Sequence, residues 1–348
     1  MPQPDAQFVG RARELVKDLF HPRPLVYWSD LLLSTAVAYG SFYAAHTAGR
    51  PALAGLAFVV SVLAFYRAAL FIHELVHLPG RSFGAFRAVW NLLVGIPLLI
   101  PSFLYYTHLE HHRPRHYATV HDGEYLPLAR GPWHALVLMV ASAVVVPAVA
   151  MVRFALVTPL TWLSRRFAAV VQRHASAMVI DPNYVRPVPT PVERWHWRAQ
   201  EALCLVYLLI VGMLLLSGRL AWSWLGQAYL LAVCVLGVNA VRTLAAHRYR
   251  LSKQQPCSLI EQLQDSINHP RWPVLTELWA PVGLRFHALH HLLPGLPYHA
   301  LPEAHRRLTA GLPADSPYHQ TVSPGLLASL RTIWNEASHR LEALPGHV

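Results

Sequence analysis

The sequence predicts an all-α integral membrane protein, with four transmembrane helices in two pairs and a cytosolic helical cap that carries a metal site. Only 14% of its 348 residues are charged and 54% are hydrophobic, whereas charged residues make up about 25% of a typical soluble domain. The apolar residues form runs long enough to cross a hydrocarbon core of about 30 Å. Three clusters of histidines follow such runs. The net charge of +11, in so apolar a chain, favours contact with lipid or an acidic partner over nucleic acid.

Residues 1–24 are predicted to form an N-terminal cytosolic or interfacial helix. Its stretch from Asp5 to Phe20 is amphipathic, which suits a helix on a membrane surface and equally a solvated one. Leu25–His46 and Ala52–Ile72 are the first predicted span pair, joined by a short turn. Because Arg and Lys precede Leu25, the side to which this pair returns is predicted to be cytosolic.

The next apolar run, Val89–Tyr106, is predicted to be re-entrant or interfacial. A full crossing would place the histidines of residues 108–112 about 30 Å from those that follow the first pair. Gly95, Pro97 and Pro101 interrupt the run, and proline breaks a helix. The chain is therefore expected to return to the face it left.

A second pair of spans completes the predicted membrane domain, residues 25–301. His134–Pro159 contains Pro147 and is predicted to be interfacial or a shallow hairpin, whereas Glu201–Ser217 and Trp222–Thr243 are long enough to cross. The chain then reaches a basic stretch made up of Arg242, Arg248, Arg250 and Lys253. These arginines set the topology or bind a phosphate-bearing head group. Residues 302–348 are predicted to be a C-terminal cytosolic helical segment, which places both termini in the cytosol.

The histidine spacing indicates a site for two metal ions. Histidines at i, i+3 and i+4 lie on one helical face, and eight occur at these spacings: His73, His77, His108, His111, His112, His287, His290 and His291. One zinc ion takes three or four protein ligands, so eight imidazoles suit two first-row metal ions better than one.

The order H-x-x-x-H, H-x-x-H-H and a distant second H-x-x-H-H resembles the membrane fatty acid desaturase family, which also holds hydroxylases and ketolases. The match of motif order and spacing covers roughly Leu25 to Leu301. The resemblance implies two Fe ions in a cytosolic non-haem centre, dioxygen as co-substrate, and desaturation of a fatty acyl chain. Hydroxylation or ketolation on the same scaffold is the alternative. It also implies a ninth ligand just past the fourth span, where His247 stands, although Thr243 replaces the asparagine that some members carry.

The resemblance further implies an external electron donor of the ferredoxin or cytochrome b5 type, because the chain contains no fused His-Pro-Gly-Gly haem motif. The substrate is expected to be a fatty acyl chain linked to lipid, coenzyme A or carrier protein. The protein is expected to be a multi-pass protein of a bacterial inner membrane.

Acidic residues near the clusters are candidates to orient ligand imidazoles: Glu74, Glu110, Asp122 and Glu124. Glu110, inside the second cluster, is the preferred one, while solvated carboxylates explain Asp122 and Glu124 equally well. His116 and His121 either extend the site or are solvated. His269 is a second candidate for the ninth ligand.

Two other functions fit parts of the pattern. His73-Glu74-Leu-Val-His77 also matches H-E-x-x-H, in which two histidines bind zinc and the glutamate is the general base of a protease. An intramembrane zinc protease would leave the other six histidines of the clusters without a role. A haem carrier pairs histidines across facing spans, whereas these lie together at span ends.

Overall fold

The computed structural model describes residues 3–80, 82–252 and 254–342. Lys253 of the basic stretch, and residues 343–348 at the end of the predicted C-terminal segment, lie outside this part of the chain. Within it the structure is helical and has no β-strand, only isolated β-bridges such as that between Asn268 and Phe286.

The α-helices are α1 Gln3–Leu15, α2 Pro24–Thr47, α3 Pro51–His77, α4 Gly84–Trp90, α5 His108–His111, α6 Trp133–Ala141, α7 Val146–Val152, α8 Thr158–Leu163, α9 Arg165–His174, α10 Pro191–Leu216, α11 Trp222–Leu244, α12 Leu259–Asp265, α13 Pro273–Trp279, α14 His287–Leu292, α15 Leu301–Gly311 and α16 Leu326–Glu342. Two π-helical segments, Asn91–Gly95 and Arg153–Val157, follow α4 and α7. Short 3₁₀ turns lie at Lys17–Leu19, Ser102–Tyr105, Leu128–Arg130, Ser142–Val144, Tyr298–Ala300 and Pro317–Thr321.

Four helical runs of the described chain are long and apolar enough to cross a bilayer: Pro51–His77, Val146–Leu163, Pro191–Leu216 and Trp222–Leu244. The predicted number of spans is therefore confirmed, but the set differs in one member. The helix α2 has the length, at 24 residues, but polar residues such as Ser29 and Asp30 dilute its apolar composition. It packs along α3 and exposes Leu32, Leu33 and Val37 on its outer side, so the predicted first hairpin is present.

The second pair is adjacent in sequence but packs against different partners. The helix α11 packs on α3, while α10 packs on the run formed by α7, the second π segment and α8. A capping box of Thr190 and Glu193, with Pro191 at the first helical position, begins α10 ten residues before the predicted start. Gly218 then reverses the chain in the left-handed region, at φ 71°.

The run predicted to be re-entrant is interrupted, as expected. The helix α4 is followed directly by the first π-helical segment. Leu99 then takes a left-handed conformation with φ 57°, and a short 3₁₀ turn begins after Pro101. Asn91 clamps the two limbs, since its Nδ2 donates to Ser102 Oγ at 2.9 Å and its Oδ1 accepts from Ser102 N at 2.9 Å. The chain returns so closely that the ring centroids of His108 and His73 are 4.5 Å apart.

The segment predicted as interfacial or as a shallow hairpin is more continuous than expected. Pro147 lies at the start of α7 and does not break a helix there, so Val146–Leu163 is one run of spanning length. Inside it, the buried Arg153 donates to Glu201 of α10 and, at 2.8 Å, to Thr158 Oγ1. An internal ion pair of this kind allows a charged residue in an otherwise apolar segment.

The N-terminal helix packs one face on α15, and its location at a membrane surface stays a prediction. Ala12 and Val16 are buried against Leu308 and neighbouring residues of α15, and Arg11 donates to Gly311 O at 3.2 Å. Towards the other end of the chain, Ile333 of α16 is buried beside the turn at Leu128–Arg130.

The arrangement predicts a definite topology. In a variant with Cys204, Cys234 and Cys257 replaced by serine, a membrane-impermeant maleimide should label Gly49→Cys and Arg219→Cys in intact cells. These positions are exposed in the α2–α3 and α10–α11 turns. The exposed Asp315→Cys should react only after the membrane is opened. Labelling of Asp315→Cys in intact cells would reverse the predicted orientation, and unequal labelling of the two turns would contradict the hairpin arrangement.

Candidate metal centre

All nine histidines predicted as ligands converge on one region of the structure. His73 and His77 lie in the last turn of α3, and His108 and His111 form the ends of the one-turn helix α5. His247 follows α11 after a short turn. The helix α14 then presents the last cluster, consisting of His287, His290 and His291. Spacings of three and four residues within single helical turns therefore bring the rings of each set to the same side of their helix.

The imidazoles separate into two groups, within each of which the available ligand atoms all lie within 4.8 Å of one another. One group is His73, His77, His108, His112 and His290, and the other is His111, His247, His287 and His291. The two groups adjoin, since the rings of His112 and His291 stack with centroids 4.4 Å apart. The arrangement is therefore a single site with two centres.

The donor atoms fit bound metal ions better than a hydrogen-bonded network of imidazoles. Nε2 atoms face one another at 2.8 Å between His247 and His287 and at 3.2 Å between His77 and His290, and a neutral imidazole has only one N–H to share between such atoms. Both ring nitrogens of His73 are buried without a hydrogen-bond partner. A buried polar atom without a partner is costly, and a cation coordinated by these nitrogens would remove that cost.

Electrostatics favour the neutral, ligating form of these side chains. Burial, followed by the charges of neighbouring histidines, places the pKa values of His290 and His291 well below the ordinary range. Metal ligands must be deprotonated. At neutral pH these two histidines therefore offer unprotonated nitrogens. His111 differs, because burial lowers its pKa but the neighbouring Asp122 carboxylate raises it above the ordinary value.

Carboxylates behind the second histidine cluster fix the ring orientations. His111 Nδ1 lies 2.8 Å from Asp122 Oδ2, and His108 Nδ1 lies 2.9 Å from Glu124 Oε2. Burial of Asp122 opposes its ionisation, but His111 and two backbone N–H groups hold the pKa of this carboxyl below its usual value. An Nδ1–H donated to a carboxylate leaves Nε2 free to coordinate.

A second set of side chains that contact the ligand imidazoles was not predicted from the sequence. Tyr117 OH lies 2.9 Å from His247 Nδ1 and donates to Asp265 Oδ2 at 2.8 Å. The Gln262 amide lies 3.0 Å from His291 Nδ1 and donates to the His111 carbonyl at 3.0 Å. These residues come from distant parts of the chain and belong to no motif, so only the folded structure reveals their role.

Two of the three candidate glutamates, Glu74 and Glu110, do not contact the clustered imidazoles. Glu110 pairs with Arg113 at 2.7 Å and with His116, because its side chain points to the surface of the short helix. Glu74 is buried, but its Oε2 accepts from Tyr27 OH at 2.6 Å and from Tyr298 N at 3.4 Å. The glutamate of the H-E-x-x-H match therefore lacks the position that a protease base needs.

The remaining candidates lie outside both groups. His116 and His121 contact each other, with ring centroids 5.2 Å apart, and His269 Nε2 contacts Ser329 Oγ at 3.0 Å. Next to His269, the buried Asn268 accepts from Leu289 N at 3.1 Å and so helps to position the last histidine cluster.

A helical membrane scaffold with two adjoining histidine groups defines a class of protein, and sequence comparison identifies it. The family model described as fatty acid desaturase matches residues 49–322, and the chain belongs to this family. The chain is also similar to a ceramide hydroxylase of Caulobacter vibrioides (strain NA1000 / CB15N). The two are 37% identical over an alignment of 354 residues, which covers 97% of this chain and 95% of that protein.

Metal retention should depend on Asp122 and not on Glu110. We expect about two equivalents of metal in the purified wild type, one for each group. Asp122→Asn should bind metal about 10- to 100-fold more weakly in a chelator titration, because His111 loses the carboxylate that orients it. The chelator titration measures the affinity, and mass spectrometry measures the metal content of the purified proteins. Glu110→Gln is the matched control, and equal losses in the two variants would contradict the assignment.

Proposed function

We propose that this protein is an oxygen-dependent lipid hydroxylase that adds a hydroxyl group to a hydrocarbon chain of a ceramide. The observation that carries the proposal is the pair of adjoining histidine groups, buried where α3 ends and just beyond α11. The near-full-length similarity to a ceramide hydroxylase favours hydroxylation over the desaturation first expected. The reaction consumes one O₂, two electrons and two protons, and yields the alcohol and one water.

The reaction needs chemistry that side chains do not supply, because an unactivated C–H bond is beyond ordinary acid–base catalysis. When bound, two redox-active metal ions, iron by family resemblance, would supply the activation of dioxygen. The nine histidines would hold those ions, five at one centre and four at the other. Asp122 and Glu124 would keep two of these imidazoles in the coordinating tautomer.

In this proposal the hydrocarbon chain comes to the site from the bilayer. The helices α3 and α11 pack together and have exposed apolar residues such as Leu56 and Leu230 along the membrane region. Each of these two helices ends near histidines of the site, since α3 ends at His77 and His247 follows α11. A lipid in the bilayer can therefore reach the site from the membrane, with its head group at the histidine-bearing face.

Two electrons per turnover come from an external donor, for which an acidic ferredoxin or cytochrome b5-type protein is proposed. The chain's net charge of +11 would attract such a donor to the membrane surface. Hydroxylation driven by the donor should therefore slow as salt is raised from about 0.01 M to 1 M, over which the Debye length falls from about 30 Å to 3 Å. A rate that does not respond to salt would contradict electrostatic docking of the donor.

Lipid mass spectrometry tests the reaction itself. Cells expressing the wild type should contain ceramides heavier by the mass of one oxygen atom, about 16 units, and ¹⁸O₂ should label the added atom. His290→Ala should abolish the product, because it removes a nitrogen from the five-histidine group. His174→Ala, which removes an exposed histidine outside both groups, is the matched control. A loss of two mass units in place of the gain would establish desaturation, and loss of product in both variants would argue against a specific metal site.

A further inference from the structure

One short helix between the fourth span and the last histidine cluster carries an exposed apolar side. This helix is α13, Pro273–Trp279, and the side chains of Trp272, Val274, Leu275 and Leu278 are between 47% and 77% exposed. Val274, Leu275 and Leu278 share one helical face, since they are spaced by three and four residues. Apolar side chains in water lose the free energy that burial would provide, and exposed apolar patches mark contact surfaces for membranes or proteins.

The opposite side of α13 is attached to two membrane-spanning helices. Thr276 is buried, and α13 packs on α3 and α11. Tyr66 of α3 donates its OH to Trp279 O at 2.9 Å, and Arg67 of α3 donates to Glu277 Oε2 at 3.1 Å. The apolar side therefore faces away from the spans on which the helix is fixed.

These contacts place α13 at the histidine-bearing edge of the membrane region. Tyr66 lies eleven residues before His77, the last residue of α3, which is about 16 Å along a helix axis. At the same level, Arg67 Nε donates to Asp30 of α2 at 2.7 Å. Charged side chains are costly inside the hydrocarbon core, so this ion pair marks the edge of the core. Leu33, one turn further along α2 on the membrane side, is exposed.

The composition of this stretch fits a lipid surface better than an acidic protein partner. Residues 271–279 contain only two charged side chains, Arg271 and Glu277, and Glu277 already pairs with Arg67 at 3.1 Å. The exposed Arg271 and Trp272 stand together just before the helix. Tryptophan is enriched at the head-group level of membranes, and an arginine beside it can reach lipid phosphates.

We propose that α13 lies in the head-group layer of the bilayer, with Val274, Leu275 and Leu278 against the acyl chains. An amphipathic helix in this position gains the free energy of burying its apolar side in lipid. Residues 280–286, which follow α13, are all buried and lead directly to His287. The lipid contact would therefore hold the last histidine cluster at a fixed distance from the membrane. This inference concerns how the protein sits on the bilayer and does not depend on the proposed reaction.

The depth of a nitroxide spin label at position 275 tests this inference. Leu275→Cys is made in the variant with Cys204, Cys234 and Cys257 replaced by serine, labelled, and reconstituted as the full chain in phospholipid nanodiscs. Power-saturation EPR then compares collisions of the label with O₂, which concentrates in the bilayer, and with a nickel chelate, which stays in water. The ratio of O₂ to nickel collisions should be several-fold higher than for a label at Asp315→Cys, and close to that at Leu56→Cys on the exposed side of α3.

The measurement can contradict the inference in two ways. A ratio at position 275 equal to that at Asp315→Cys would place the helix in water. Low collision rates with both reagents, together with spectral broadening from a nearby second label, would show that another copy of the chain covers this side. If the Leu275→Cys protein does not fold, the same comparison at Val274→Cys decides the question. Hydroxylated ceramide produced by a protein whose α13 lies in water would overturn the bilayer contact and leave the proposed reaction intact.

Discussion

The convergence of nine imidazoles in a buried space is the constraint on which the rest of this structure depends. Each ring brings at least one nitrogen that water no longer solvates, and several of these nitrogens face one another at 2.8 to 3.2 Å. Such an arrangement is unfavourable for the side chains alone. It is favourable when cations occupy the space between them, because metal coordination then replaces both the lost hydration and the missing hydrogen bonds. Metal binding at this site would therefore be coupled to folding.

The path of the chain follows from that constraint. Histidine clusters from four separate segments meet only if every intervening stretch begins and ends on the same face of the membrane. The hairpin of α2 and α3 brings the chain back in this way, and residues 89–106 come back by a broken helix. The break depends on particular contacts. Asn91 and Ser102 satisfy each other's polar groups across the reversal, and a Cβ at Gly95 would come within 2.7 Å of the Trp90 ring.

Sequence reasoning succeeded where the determinants are local. Spacings of three and four residues fix which of eight histidines share a helical face, and these eight lie together in the structure. His247, which the family resemblance implied, joins them. The sequence does not predict which residues contact the histidines where tertiary structure brings those residues together. Glu110 is nearest to the second cluster in sequence, yet it faces Arg113 and His116, while Asp122 returns from a later turn to reach His111. Tyr117 and Asp265 are 148 residues apart, and no local pattern connects them.

The same distinction explains why the family could be predicted and the reaction could not. Eight of the nine clustered histidines lie in compact motifs, and those motifs identify the family. Desaturation and hydroxylation both begin by removing a hydrogen atom, so they differ in how the substrate chain lies beside that site. The residues that would set this position are scattered along the chain, as are Tyr117, Gln262 and Asp265 around the imidazoles. Contacts of this kind cannot be read from a linear motif, so the sequence predicts the family and leaves the choice between desaturation and hydroxylation open.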